Sequence, residues 1–128
     1  MLHFVNNYFV HTDDRGSIHG LINQGIWKEI NLISSEEGII RGNHYHKKIR
    51  ELFIILEGNI EVHVQRVENN NLIGDISVYI VKSGDVFWID PYVNHTFIPK
   101  SFSKWINGLS EPLDNENPDI HRVSRSSV

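Results

Sequence analysis

The sequence predicts an all-β protein, an antiparallel sandwich or closed barrel, and three observations predict it. Apolar stretches of strand length recur along the chain. Turn residues divide them at short intervals, and a helical period of apolar positions is hard to find. Many short strands separated by turns suit antiparallel sheets that close on each other.

Taken in order, residues 27–33 alternate Trp27, Glu29, Asn31 and Ile33 with Lys28, Ile30 and Leu32. Residues 51–56 read ELFIIL, a nearly continuous apolar run. Its length and flanking turns favour a strand buried on both faces. Glu57-Gly58-Asn59 reads as a tight turn, after which Ile60, Val62 and Val64 alternate with Glu61, His63 and Gln65, a half-buried strand. The runs 51–56 and 60–67 are therefore expected to pair as a hairpin around Gly58. Asn69-Asn70-Asn71 is a polar hairpin tip, and residues 75–81 form another β-rich run. Ser83-Gly84-Asp85 turns into Val86-Phe87-Trp88-Ile89, which Asp90-Pro91 ends and which should lie across the same barrel. Thr96-Phe97-Ile98 stops at Pro99, and residues 102–109 add one more strand. From Ser110 the chain turns polar and proline-broken, which predicts a surface loop, and residues 124–128 are expected to fray.

A chain of 128 residues suits one domain and can bury a core without staples. The expected organisation is a single domain over 1–128, with an N-terminal arm or strand at 1–20 and a C-terminal loop and tail at 110–128. There are no cysteines, so any metal must use His, Asp or Glu. The first ten residues lack a basic stretch followed by an apolar run, and no segment has the length to span a bilayer. A cytoplasmic protein is expected, with no membrane partner. The net charge of −4 gives no reason to expect nucleic acid as a partner.

The chain holds 8 histidines, and their positions carry most of the functional information. His44 and His46 are two apart, which on a strand sets both imidazoles on one face and Tyr45 on the other. Glu51 follows at an odd step that would break the parity of one straight strand, and Lys47-Lys48 can supply the bend. A carboxylate opening a buried strand needs a partner, and the histidines or a metal would serve. His95 lies near the end of another apolar segment. Imidazole with carboxylate suits Zn, Mn, Fe or Ni. His3, His11, His19, His63 and His121 are read as ordinary polar positions; His63 is the least secure, because its strand follows that of Glu51 directly.

These residues fall into a pattern. Gly38, His44, His46, Glu51 and Gly58 match every fixed position of G-x5-H-x-H-x3,4-E-x6-G, the first motif of the cupins. The second motif, G-x5-P-x-G-x2-H-x3-N, is kept at Gly84 and His95. Its proline is displaced to Pro91, Tyr92 stands at its second glycine, and Pro99 replaces its asparagine. The chain thus resembles the cupin superfamily, which implies a double-stranded β-helix, or jelly-roll barrel, and a metal site of His44, His46, Glu51 and His95.

Within cupins, Asp14-Arg15-Gly16 and Arg41-Gly42-Asn43-His44 resemble elements of dTDP-4-dehydrorhamnose 3,5-epimerases and sugar-nucleotide 3,4-ketoisomerases. That resemblance implies Arg15 and Arg41 as ligands of phosphate or sugar oxygens and His44 as base. The epimerases carry glutamine where His46 stands; the ketoisomerases share H-x-H-K-K but tend to have glutamine in place of Glu51. RGNHYH with a downstream glutamate, together with the tail SEPLDNENPD, is similar to the metal-binding C-terminal cupin domain of capsular polysaccharide reductase/epimerase proteins.

The expected function is therefore isomerisation or epimerisation of a nucleotide-linked 4-keto-6-deoxy-sugar for surface polysaccharide. A proton next to the ketone would be removed and another returned elsewhere. His44 is the expected base, and His46 a metal ligand or second acid–base group. One nitrogen cannot serve as base and ligand at once, so tight coordination by His44 would pass the role to Tyr92 or His63. Tyr92 is also a candidate substrate contact. The expected cofactor is a divalent ion, and the expected assembly a homodimer packed through apolar outer sheets. The alternatives are a metal-dependent cupin of another class, such as a dioxygenase, and a non-catalytic sugar-binding cupin.

Overall fold

A computed structural model describes residues 1–123, so the expected fraying at 124–128 lies outside the described residues. The strands are β1 (Leu2–Phe4), β2 (Phe9–Asp13), β3 (Gly16–Gly20), β4 (Glu29–Ser35), β5 (Arg41–His44) and β6 (Glu51–Glu57). They continue with β7 (Asn59–Glu68), β8 (Asn71–Lys82), β9 (Val86–Ile89), β10 (Val93–Pro99) and β11 (Ser103–Leu109). Among the described residues there is no helix, and therefore none that could cross a membrane.

Two antiparallel sheets face each other. One has the order β1-β9-β6-β11-β4, the other β5-β10-β7-β8, and β2 with β3 forms a separate hairpin. The fold is the expected all-β jelly roll. ELFIIL occupies the middle of the five-stranded sheet, with Leu52 and Phe53 both buried although they point to opposite faces. Phe53, Ile55 and Phe87 from that sheet meet Val62, Val64 and Phe97 from the other. Each such side chain contributes roughly 1.5–3 kcal/mol by leaving water.

The expected hairpin around Gly58 does not form. β6 pairs with β9 and β11, whereas β7 pairs with β8 and β10. Gly58 is instead the corner at which the chain leaves one sheet for the other. Its φ is +98°, and a Cβ there would sit 2.6 Å from the Phe102 carbonyl oxygen. The physical reason lies in the patterning. Side by side, β6 and β7 would leave their apolar faces uncovered; across the barrel, each covers the other. The hairpin expected at the asparagines does form: Asn69 and Asn70 take φ of 52° and 59°, which the tight β7–β8 turn requires.

Candidate metal centre

His44 of β5 lies directly opposite His95 of β10, and the register then slips so that Thr96 faces Gly42. The slip is a bulge at Asn43, whose φ is 58°. Bulges of this kind re-aim a side chain at a sheet edge. Gly42, with φ of +87°, makes the approach possible, because a Cβ there would lie 2.7 Å from the His95 carbonyl oxygen. Beyond β5, Tyr45 and His121 exchange two backbone hydrogen bonds of 2.9 Å, so the alternation persists through His46. Tyr45 turns the other way, and its hydroxyl donates to Asn70 Oδ1 at 2.7 Å. The chain bends at Lys47-Lys48, as expected, and delivers Glu51 from the facing sheet.

Each of His44, His46, Glu51 and His95 offers a ligand atom, and these atoms lie within 4.8 Å of one another. His46 Nε2 approaches Glu51 Oε1 to 2.6 Å, and His95 Nε2 lies 3.5 Å from Glu51 Oε2. The ring nitrogens facing away are already used. His46 Nδ1 is hydrogen-bonded to the Asp119 carbonyl, and His95 Nδ1 lies 3.0 Å from the Val93 carbonyl. A carbonyl only accepts, so both Nδ1 atoms carry the proton and both Nε2 atoms can present lone pairs to the centre. The 2.6 Å approach to Glu51 is off the hydrogen-bonding direction: both Nε2 atoms are buried with no hydrogen-bond partner, as is His44 Nδ1. Orphaned buried nitrogens beside a buried carboxylate fit a divalent ion of the nitrogen- and oxygen-binding kind.

The protonation states follow from burial and mutual charge. Burial, then His95 and His46, push His44 down to about 4, so its imidazole is neutral at pH 7. Burial likewise lowers His95. For His46, burial opposes the charge, but Glu51 and the Asp119 carbonyl outweigh it and hold the group above its usual value. Burial would raise Glu51, but His46 and the neighbouring histidines outweigh it, so the carboxylate stays ionised.

The cluster borders a cavity of about 240 Å³. Phe53, Phe97, Trp105 and Leu109 form apolar walls. Glu29 and Asn31 of β4 and Asn107 of β11 add a polar side, and Arg41 borders the same space. The Arg41 guanidinium is held by Ser35 Oγ at 3.1 Å and the Ser34 carbonyl at 2.9 Å.

The structure brings His44, His46, Glu51, His95 and Arg41 together; it does not bring Arg15, Tyr92 or His63 to this cavity. Arg15 caps the β2–β3 hairpin, pairs with Asp13 at 2.7 Å and lines a different hollow. Tyr92 is half-exposed and borders a hollow beside Met1 and Arg66. Its φ of 59° is left-handed, which explains why the motif has glycine there. His63 falls on the outward parity of β7, between the buried Val62 and Val64. That parity keeps it off the lining of this cavity.

Sequence reasoning missed Asp119, Glu29, Asn31, Asn107 and Trp105. The inward alternation of Glu29, Asn31 and Ile33 was the one available signal for the polar wall. Asp119 sits in the proline-broken tail, which reads as loop and offers no periodicity.

A family model described as the polysaccharide biosynthesis C-terminal domain matches residues 11–99. The chain belongs to that family. No curated protein matches it. Among solved structures, the domain resembles the capsular polysaccharide assembling protein CapF from Staphylococcus aureus, with a TM-score of 0.68 and 23% identity over 91% of this chain and 32% of that one. It also resembles a 3,4-ketoisomerase from Helicobacter canadensis, with a TM-score of 0.77 and 20% identity over 94% and 90% of the two chains. A dTDP-4-dehydrorhamnose 3,5-epimerase from Sulfolobus tokodaii matches with a TM-score of 0.76 and 19% identity over 99% and 84%. These likenesses place the polysaccharide biosynthesis C-terminal domain in the cupin fold. The chain spans about a third of CapF.

Proposed function

We propose that this domain is a metal-assisted isomerase or epimerase acting on a nucleotide-linked 4-keto-6-deoxy-sugar in surface polysaccharide synthesis. The observation that carries the reading is the convergence of His44, His46, Glu51 and His95 on one small, mostly apolar cavity. Its volume suits a single sugar ring, which leaves the nucleotide outside. Arg41 at the border supplies a cation for the diphosphate, and guanidinium is well matched to phosphate oxygens.

His46, Glu51 and His95 are the residues that would hold the ion, because the outer nitrogens of both histidines are anchored to backbone carbonyls. When bound, the ion supplies Lewis-acid polarisation of the ketone oxygen. His44 differs from the other two in that its Nδ1 is buried without a partner. A neutral imidazole in that position can take the proton next to the ketone and return one. The apolar walls leave few water-binding groups on their side of the cavity, which limits random protonation of the carbanion-like intermediate there. A homodimer belongs to the same reading. Ile76, Val78 and Ile80 form an exposed aliphatic row on β8 that a second copy can cover.

The test is incubation with a panel of nucleotide 4-keto-sugars in D2O, followed by NMR. Deuterium appearing next to the ketone supports the reading. Tight binding without exchange would favour a sugar-binding module, and oxygen consumption would favour a dioxygenase.

A further inference from the structure

The C-terminal segment crosses the mouth of the barrel as a strap. At its near end, Lys28 Nζ meets Glu111 Oε2 at 3.2 Å, and the Leu113 amide donates to Glu29 Oε1 at 3.1 Å. At its far end, His121 bridges to Tyr45, and Arg122 donates to the carbonyls of Gly42 and Asn43 at 3.0 Å. Between these ends, Leu113 and Ile120 line the cavity.

Asp119 joins the strap to the histidine segment more densely than any other residue of the tail. Its carboxylate accepts the backbone N–H groups of Lys47, Lys48 and Ile49 at 2.9, 2.8 and 3.0 Å. His121 Nε2 lies 2.8 Å from its Oδ1. Its own carbonyl accepts the proton of His46 Nδ1. The three amides belong to the bend that separates His46 from Glu51. One residue therefore fixes the bend between two members of the cluster and the tautomer of one of them.

We infer that Asp119 is the positioning residue of this centre: its carboxylate latches the strap onto the 47–49 bend, and its carbonyl thereby holds His46 with Nε2 turned to the cavity. The inference rests on the reading of His46 as a metal ligand. It adds that roofing the cavity and orienting His46 are one event, because the same residue does both. In Asp119→Ala the three amides lose their common acceptor, the strap loosens from the 47–49 bend, and the carbonyl's hold on His46 weakens. Outer partners of metal-bound histidines are typically worth ~10- to 100-fold in metal affinity.

The test uses the full chain and two readouts, one of them metal-free. In the chelated protein, the His46 Nδ1 proton is followed by NMR. In the wild type it is protected from solvent exchange; in Asp119→Ala it exchanges rapidly. Co(II) titration followed by absorption gives the second readout, with ~10- to 100-fold weaker binding in Asp119→Ala and an intermediate loss in Asp119→Asn. Lys28→Ala cuts the tie to Glu111 at the strap's near end and leaves both readouts at wild-type values. A tail that only covers the barrel would lose stability without moving the His46 proton. A folded Asp119→Ala protein with that proton still protected and Co(II) bound as tightly as in the wild type overturns the inference. Where Asp119→Ala does not fold, Asp119→Asn is read in the same way. A wild type that takes up no Co(II) defeats the metal reading itself, and the proton readout then decides the role of Asp119.

Discussion

His46 Nε2 stands 2.6 Å from Glu51 Oε1, with both side chains almost removed from solvent. Two buried groups this close must share a positive charge: a proton on His46 in the metal-free protein, or an ion between histidines and carboxylate in the loaded one. Glu51→Gln removes the negative partner without changing shape. The variant should hold far less divalent metal. The metal-free form should lose about 1–3 kcal/mol of stability, the usual cost of a buried polar group deprived of its partner. Metal analysis of protein prepared without a chelating tag, and denaturant melts in chelator, check the two parts.

Gly42→Ala tests the bulge. The added Cβ would crowd the His95 carbonyl at 2.7 Å on a residue with φ of +87°. A left-handed, crowded position costs about 1–3 kcal/mol. The β5–β10 pair should open, separating His44 from His95, so metal affinity should fall together with stability. A surface alanine substitution of equal thermodynamic cost, made elsewhere, should leave metal affinity alone.

Asp119 gives a pH dependence of defined sign. Backbone hydrogen bonds from Lys47, Lys48 and Ile49 overcome the opposing effect of burial and lower its carboxyl from 3.8 to about 2. A carboxylate with a depressed folded-state value adds stability above its unfolded value, and that stability is lost as pH falls through the folded one. In chelator, the melting temperature of the wild type should therefore converge on that of Asp119→Asn between about pH 4 and pH 2, with the gap constant above that range.

Arg41→Ala should weaken binding of a nucleoside diphosphate by roughly 1.5–3 kcal/mol, the worth of a charged hydrogen bond. Arg15→Ala is the informative comparison. Arg15 is tied to Asp13 outside the cavity, so within one chain its loss should change affinity much less. Calorimetry of both variants checks the pair, and equal losses would place the diphosphate elsewhere.

How much of this was legible in the sequence depended on whether the signal was local. His44, His46 and Glu51 share one short segment with a fixed spacing, and strand parity alone aligns the histidines. The Lys47-Lys48 bend followed from the broken parity. The corner at Gly58 was misread, because glycine between two apolar strands looks the same in a hairpin and in a crossing between sheets. Only long-range pairing decides between them. Asp119 was illegible for a different reason: it acts on His46 through a backbone carbonyl, which every residue possesses, and from the far end of the chain.

The most direct test of the central claim is deuterium exchange by His44→Asn on a nucleotide 4-keto-sugar that the wild type turns over. His44 is the one inward histidine of the cluster whose ring lacks a backbone-carbonyl anchor at Nδ1, and it stays neutral at pH 7. Loss of a general base should lower exchange by ~10²- to 10⁴-fold, with substrate binding nearly unchanged. A folded His44→Asn protein that washes deuterium into the sugar at the wild-type rate would contradict the account.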